Sequence, residues 1–468
     1  MTYGKEKDMN EALRPNSIAK RDVAVHLHSQ TNPKYLAEHG PLVVSEGYGV
    51  HITDSDGKEY LDAMAGLWCA TLGFTNERLA AAASEQYSKL GFYHTFFNRT
   101  MDKATELAEK LVELTGMAGG KAYFATSGSE ANETMIKLAW VYHTVRGKPT
   151  KRKVIARERA FHGSTIVGAS LCGLTFMHRE FGLPLPGFLH TSAPFPYRGM
   201  RNGEDEAAYV ARLCTDLEHL IVAEGPDTIA AFIAEPIYAG GGIILPPQSY
   251  FAEVQKVLKK YDILALCDEI VCGFGRTGNW FGKETVGFEP DMMALAKGLS
   301  SGHFPISAVV AKGEIYDAVY AFNEAGGNFG HGFTNSGHPV GLAVALEAIA
   351  IYEEMDVVEH VRKMGARLSG HFNELAKTSP IIGEVRGAGL MWGIELVEDK
   401  ATKAPFAPDL KVGLSFDHIA YENGLICRCM DDTLGYAPPL IVGEAEVDEI
   451  AEKTEKSLKQ LEAQLGVR

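Results

Sequence analysis

Six short, almost wholly apolar runs punctuate the middle of the chain: AYFAT (122–126), KVIAR (153–157), TIAAFIAE (228–235), ILALCD (263–268), MMALA (292–296) and ISAVVA (306–311). Stretches with helical periodicity lie among them, at about 129–144, 206–224 and 248–261. A strand that is apolar on both faces must be covered on both faces, and helices between strands supply that cover. The pattern predicts an α/β core built on a mostly parallel sheet.

The flanks read differently. Residues 41–62 alternate apolar and polar, with Asp56-Gly57 as the turn between two strands of a hairpin. The C-terminal part mixes helical patterns (410–423 and 444–465) with short strands such as GLMWGIEL (389–396). The two ends can together form a second, smaller domain. On this reading the chain divides into an N-terminal segment (1–75), a large domain (76–345) and a C-terminal small domain (346–468).

Composition removes several classes of function. With 46% hydrophobic and 22% charged residues, the 468-residue chain has enough apolar material for a core and is not a disordered sequence. The net charge is −15 and no basic run exceeds KRK (151–153), so no nucleic-acid partner is expected. The N-terminal stretch MTYGKEKDMNEALRPNSIAKRDVAVHLH lacks the apolar core of a signal peptide. The most apolar helical stretch, Val340 to Tyr352, is broken by Glu347 and is too short to span a bilayer. A cytoplasmic protein without a membrane partner is therefore expected. The seven cysteines are scattered, as reduced thiols are. Neither Cys267 with Cys272 nor Cys427 with Cys429 has ordinary zinc spacing, so these read as small buried hydrophobes and no metal site is expected.

The chemistry-bearing segments follow the strands. GFGRTG (273–278) matches a dinucleotide fingerprint, yet NWFGKETVGFEPD after it has no helical periodicity, and the fingerprint needs a helix N-terminus for the pyrophosphate. TSGSEANE (126–133) is the better phosphate site. It leaves a strand and opens a helix, Ser127 with Glu130 fits a capping box, and the small residues Gly128 and Ser129 let backbone N–H groups approach an anion. Asp268 ends an apolar strand, at the sheet edge where α/β folds bind ligands. Lys297 leaves another apolar strand ahead of Gly298, and desolvation there would make its amine nucleophilic. A phosphate cup, an aspartate and an isolated lysine on one α/β core are the parts that a pyridoxal-phosphate (PLP) site requires.

The chain also resembles the class III aminotransferases of fold type I, and within them the amine:pyruvate (omega) transaminases. The resemblance runs from about His26 to the last helix. It is carried by MAGLWCATLG (64–73), FYHTFFN (92–98), TSGSEAN (126–132), FHGST (161–165), EPI (235–237), DEIVCGFGRTG (268–278), AKGLSSG (296–302), HGFTNSGHP (331–339), VRGAGLMWG (385–393) and LICR (425–428). It implies a large, mostly parallel seven-stranded sheet domain with a smaller α/β domain built from both chain ends. Lys297 resembles the Schiff-base lysine and Asp268 the pyridinium partner. Val271 and Phe161 resemble the residues on the two ring faces, and Gly128 and Ser129 the phosphate cup. Thr334 resembles a phosphate ligand donated by a neighbouring subunit, which implies a homodimer with shared active sites; further pairing into a tetramer is left open. Glu235 matches an acidic position near the ring, and His162 belongs to the same motif as Phe161 and reads as a structural histidine. Trp68, Phe96, Phe97 and Phe161 resemble substrate-pocket walls, and Arg428 the arginine that grips a carboxylate in bidentate fashion.

The sequence departs from the family at two positions, with Phe161 where many relatives have tyrosine and Gln30 where relatives often carry phenylalanine near the pocket entrance. The implied activity is a ping-pong transfer from a primary amine, with Lys297 as base, to a keto acid such as pyruvate. Racemases, aminomutases and decarboxylases of the same fold share the cofactor residues and stand as the alternative.

Overall fold

The apolar runs of the middle of the chain become strands of one seven-stranded sheet in the computed structural model, which describes residues 13–323 and 328–467. Residues 1–12, part of the polar N-terminal stretch read above, lie outside the described residues. The first three strands, β1 (Val44–Tyr48), β2 (His51–Asp54) and β3 (Glu59–Asp62), belong to a separate sheet. The seven are β4 (Lys121–Ala125), β5 (Lys153–Arg157), β6 (Phe188–Thr191), β7 (Ile229–Ala234), β8 (Leu264–Asp268), β9 (Met292–Leu295) and β10 (Ser307–Ala311), in the spatial order β4-β10-β9-β8-β7-β5-β6. Strand β10 runs antiparallel to both its neighbours, and every other pairing is parallel.

Every residue of β7, β8, β9 and β10 is buried, which is why these segments show no polar alternation. Their side chains divide between two apolar layers. Ala231, Ile233, Leu266, Ala294 and Val309 pack with Met135, Ile136 and Ala139 of the helix Gly128–Val145. Phe232, Ala234, Ala265, Met293 and Val310 pack on the other layer with residues of helices Glu206–Glu224, Tyr250–Lys260 and Pro339–Glu354. Strand β6 was not anticipated; its sequence FLHT is short, half-polar and at the sheet edge.

The flanking hairpin is a three-stranded antiparallel meander, β1-β2-β3. Asp56-Gly57 turns β2 into β3 as expected, and a second turn at Gly49, with φ of 56°, joins β1 to β2. Strand β3 then pairs in parallel with β13 (Leu425–Ile426), Leu61 against Leu425 and Asp62 against Ile426. Strands β11 (Ile382–Ala388), β12 (Met391–Leu396), β14 (Arg428–Met430) and β15 (Thr433–Tyr436) form the third sheet, in the order β11-β12-β15-β14. Helices Val412–Glu422 and Glu444–Leu465 pack beside them. After GFGRTG comes only the five-residue helix Gly282–Val286, so the dinucleotide geometry is absent. No described helix is long and apolar enough to cross a membrane.

Candidate active site

Ser127, Glu235, Asp268 and Lys297 all follow or end strands of the large sheet at one edge, the C-terminal edge of its parallel strands. Open α/β sheets bind ligands there.

The helix Gly128–Val145 starts with the capping box read from the sequence. Ser127 Oγ accepts from Glu130 N at 3.2 Å, and Glu130 Oε2 accepts from Ser127 N at 3.2 Å and Thr126 N at 2.7 Å. The amides of Gly128 and Ser129 remain open at the positive end of an 18-residue helix, an arrangement suited to a phosphate. A Cβ on Gly128 would stand 2.6 Å from Ile270 Cδ1, so any larger residue must displace that side chain. Ser129 Oγ accepts from Ser164 N at 3.1 Å and ties this turn to the Phe161 loop.

Asp268 is buried at the end of β8. Its Oδ2 accepts from His162 Nδ1 and Asn132 Nδ2, both at 2.8 Å, and its Oδ1 from Ile270 N at 3.1 Å. His162 Nε2 is buried and has no hydrogen-bond partner among the described residues. Nδ1 therefore carries a proton and donates it to Asp268. Asn132 also donates to His162 O at 2.8 Å and so fixes both neighbours. Glu235 accepts from Phe161 N at 3.1 Å and Ala239 N at 3.0 Å, which pins the Phe161 loop over the site; burial pushes its carboxyl above the ordinary value.

Lys297 lies just beyond β9 with a left-handed φ of 45°, a conformation unusual for a side chain of this size. Burial drives its ammonium below the ordinary lysine range, the charges of Cys69, Asp268 and Glu235 oppose that, and Arg428 reinforces it. Both acids and the arginine thus act electrostatically on Lys297. The adjacent backbone is anchored from the helix Pro339–Glu354, where Tyr352 donates to Gly298 O at 2.7 Å and stands 2.5 Å from Thr71 Oγ1.

Trp68 is buried, also with a left-handed φ, of 63°. Phe96 covers Gly332, where a Cβ would come within 2.5 Å of the ring, and its centroid is 5.8 Å from that of Phe97. Phe161 is half-buried against Ala169, Cys172 and Met177, and Val271 packs on the main core. Phe97, Thr334 and Gln30 stand exposed on the surface of this chain. Arg428 opens β14 half-buried, without an acidic partner among the described residues, and burial lowers its guanidinium.

Sequence reasoning missed Asn132 and Tyr352. A buried asparagine four residues into a capped helix was the available signal for the first. A tyrosine in an apolar helix gave none for the second. His162, read as structural, is hydrogen-bonded directly to Asp268. Together the open helix N-terminus, the desolvated amine of Lys297 and the three-donor carboxylate of Asp268 fit the phosphate, aldehyde and ring nitrogen of PLP.

Comparison with known proteins agrees with this chemistry. The family model described as aminotransferase class-III matches residues 35–458. Gamma aminobutyrate transaminase 3, chloroplastic, from Solanum lycopersicum is 46% identical over 461 residues, covering 97% of this chain and 88% of that protein. The omega transaminase of Pseudomonas jessenii in complex with PMP superposes with a TM-score of 0.94 at 45% identity, covering 96% of this chain and 99% of the other. A thermostable omega transaminase variant changed at a tryptophan, a phenylalanine and an arginine, and engineered for asymmetric synthesis of enantiopure bulky amines, matches with a TM-score of 0.94 at 44% identity over 96% of this chain and 100% of its own. The dinucleotide reading of GFGRTG and the racemase, aminomutase and decarboxylase alternatives fall away. The chain belongs to the class III aminotransferases, PLP-dependent enzymes that carry an amino group from an amine to a keto acid.

Proposed function

We propose that this enzyme takes the amino group of a primary amine, an omega-amine, a diamine or an amino acid such as 4-aminobutyrate, and gives it to pyruvate, making alanine. The observation that carries the reading is Arg428, a half-buried guanidinium with no acidic partner among the described residues, close enough to Lys297 to influence its protonation. Such a cation is costly to bury alone and calls for a carboxylate from the substrate. Relatives named gamma aminobutyrate transaminases and neighbours named omega transaminases support the substrate class.

In this reading Ser127, Gly128 and Ser129 hold the phosphate, Asp268 holds the pyridine nitrogen protonated, and Val271 and Phe161 bracket the ring. PLP, when bound, supplies an aldehyde that captures the amine and a ring that absorbs electron density from the amine-bearing carbon. Lys297, whose amine burial biases toward the neutral form, removes the proton from that carbon. His162 and Asn132 keep the Asp268 carboxylate aimed at the ring, and Glu235 keeps the Phe161 loop closed over it. Trp68, Phe96 and Phe97 wall the pockets. Thr334 completes the phosphate site of a partner subunit in a cytoplasmic homodimer, and the division at 1–75, 76–345 and 346–468 separates the cofactor-binding body from the part that carries Arg428.

The visible spectrum of the purified protein tests the reading. A band that bleaches with 4-aminobutyrate or a diamine and returns with pyruvate is expected. A band that bleaches but returns only with a different keto acid would replace pyruvate as the acceptor.

A further inference from the structure

Arg428 is flanked on both sides by thiols. Cys427 is buried at the junction of β13 and β14, and Cys429 is half-buried one residue further along. The helix Val412–Glu422 packs on β14 and brings a third donor, Asp417. The two sulfur atoms and a carboxylate oxygen of Asp417 lie within 4.8 Å of one another. Asp417 makes no hydrogen bond or ion pair among the described residues, and burial alone pushes its carboxyl up to about 6. It is a desolvated carboxylate beside two sulfurs, a donor set that suits a thiophilic cation. No metal signal was legible in the sequence because only two donors are close in the chain and the third comes from a separate helix.

We propose that Asp417, Cys427 and Cys429 form a binding site for a soft divalent cation such as zinc, and that occupancy regulates the grip of Arg428 on the acceptor carboxylate. The regulatory half rests on the role proposed for Arg428 above; the site itself does not.

The dimensions suit the ion. Metal–sulfur bonds of about 2.3 Å at a tetrahedral centre put two sulfurs roughly 3.8 Å apart, with a carboxylate oxygen at about 2.0–2.2 Å from the metal. Closing the cluster from its present spread requires shifts of about 1 Å or less. On binding, two S–H bonds break, two metal–sulfur bonds form, the two protons pass to solvent and the ion sheds water; no electron is transferred. A fourth position stays open to water. Because the two sulfur ligands bracket Arg428, the same contraction moves its Cα, and a misplacement of about 1 Å in a binding group can cost as much as 10²-fold.

The test uses PLP-loaded enzyme, freed of metal by a chelator and titrated with cadmium, whose thiolate complexes absorb in the ultraviolet. The expected result is a cadmium–thiolate band saturating at one ion per chain. The band should be lost in Cys427→Ser and in Cys429→Ser, and the ion should bind more weakly in Asp417→Asn. Each variant should keep its visible cofactor band and its metal-free activity, which reports that it folds. Loading should raise KM for pyruvate roughly five-fold or more and leave turnover with an aldehyde acceptor, which has no carboxylate, unchanged. No thiolate band, or one that survives in both cysteine variants, overturns the site. A band without a change in the pyruvate KM overturns the regulation. If Arg428→Ala leaves the pyruvate KM of metal-free enzyme unchanged, the role of Arg428 fails while the cadmium band still reports the site.

Discussion

Arg428 and Asn132 show how single side chains set the chemistry. Removing the Arg428 guanidinium leaves the acceptor carboxylate without its partner, a loss at the low end of the 2–5 kcal/mol typical of such truncations. Arg428→Ala should therefore raise the KM for pyruvate by roughly thirty-fold. An aldehyde acceptor should be unaffected, as steady-state kinetics with both will establish. Asn132→Ala removes two bonds of 2.8 Å to Asp268 and His162. The variant should lose cofactor on dialysis faster than the parent, and retention equal to the parent would show that Asp268 is held without it. Lys297 and Asp268 were legible because a charge at the end of an apolar strand is conspicuous in a one-dimensional pattern. Asn132 was hidden inside a capping motif that already explained its surroundings. Tyr352 was hidden because the partners of its hydroxyl, Thr71 and Gly298, are far away in the sequence.

Among the elements, the short helix Gly282–Val286 is held by an unusual device. Glu269, wholly buried at the end of β8, accepts from Gly282 N at 2.9 Å and Lys283 N at 2.6 Å. Burial outweighs those two bonds and raises its carboxyl from 4.5 to about 7. Between those values the folded protein binds more protons at Glu269 than the unfolded chain does, so this residue makes stability fall as pH rises from about 4.5 to about 7. The full cost above that window is about 3 kcal/mol. Glu269→Gln should remove the slope, and its denaturation midpoint relative to the parent should improve between pH 5 and pH 8. A constant difference would show that Glu269 does not titrate in that window. The element boundaries themselves were readable where the apolar pattern is regular, as in β5, with four of its five residues buried, and in the helices Glu206–Glu224 and Glu444–Leu465, which bury one face. Strand β6 was not, because an edge strand of four residues carries too little apolar surface to stand out from a loop.

The molecule as a whole raises the question of shared sites. Thr334 is exposed on its own chain, and the proposed dimer gives it a phosphate to bind across the interface. Lys297→Ala should be inactive, and Thr334→Asp should reject the phosphate by charge repulsion. Mixed after co-refolding, the two should regain activity, since one site of each heterodimer then has both native residues. Activity no greater than the sum of the parents would mean that each chain completes its own site.

The pairing of β3 with β13 sets a schedule for biosynthesis. Leu61 and Asp62 leave the ribosome about 360 residues ahead of Leu425 and Ile426, the residues they pair with in register. At 5–20 residues per second that edge waits on the order of 20–70 s with its backbone groups unpaired. A strand edge open for so long is a template for pairing with other chains, so nascent copies of this enzyme should need shielding that the finished protein does not.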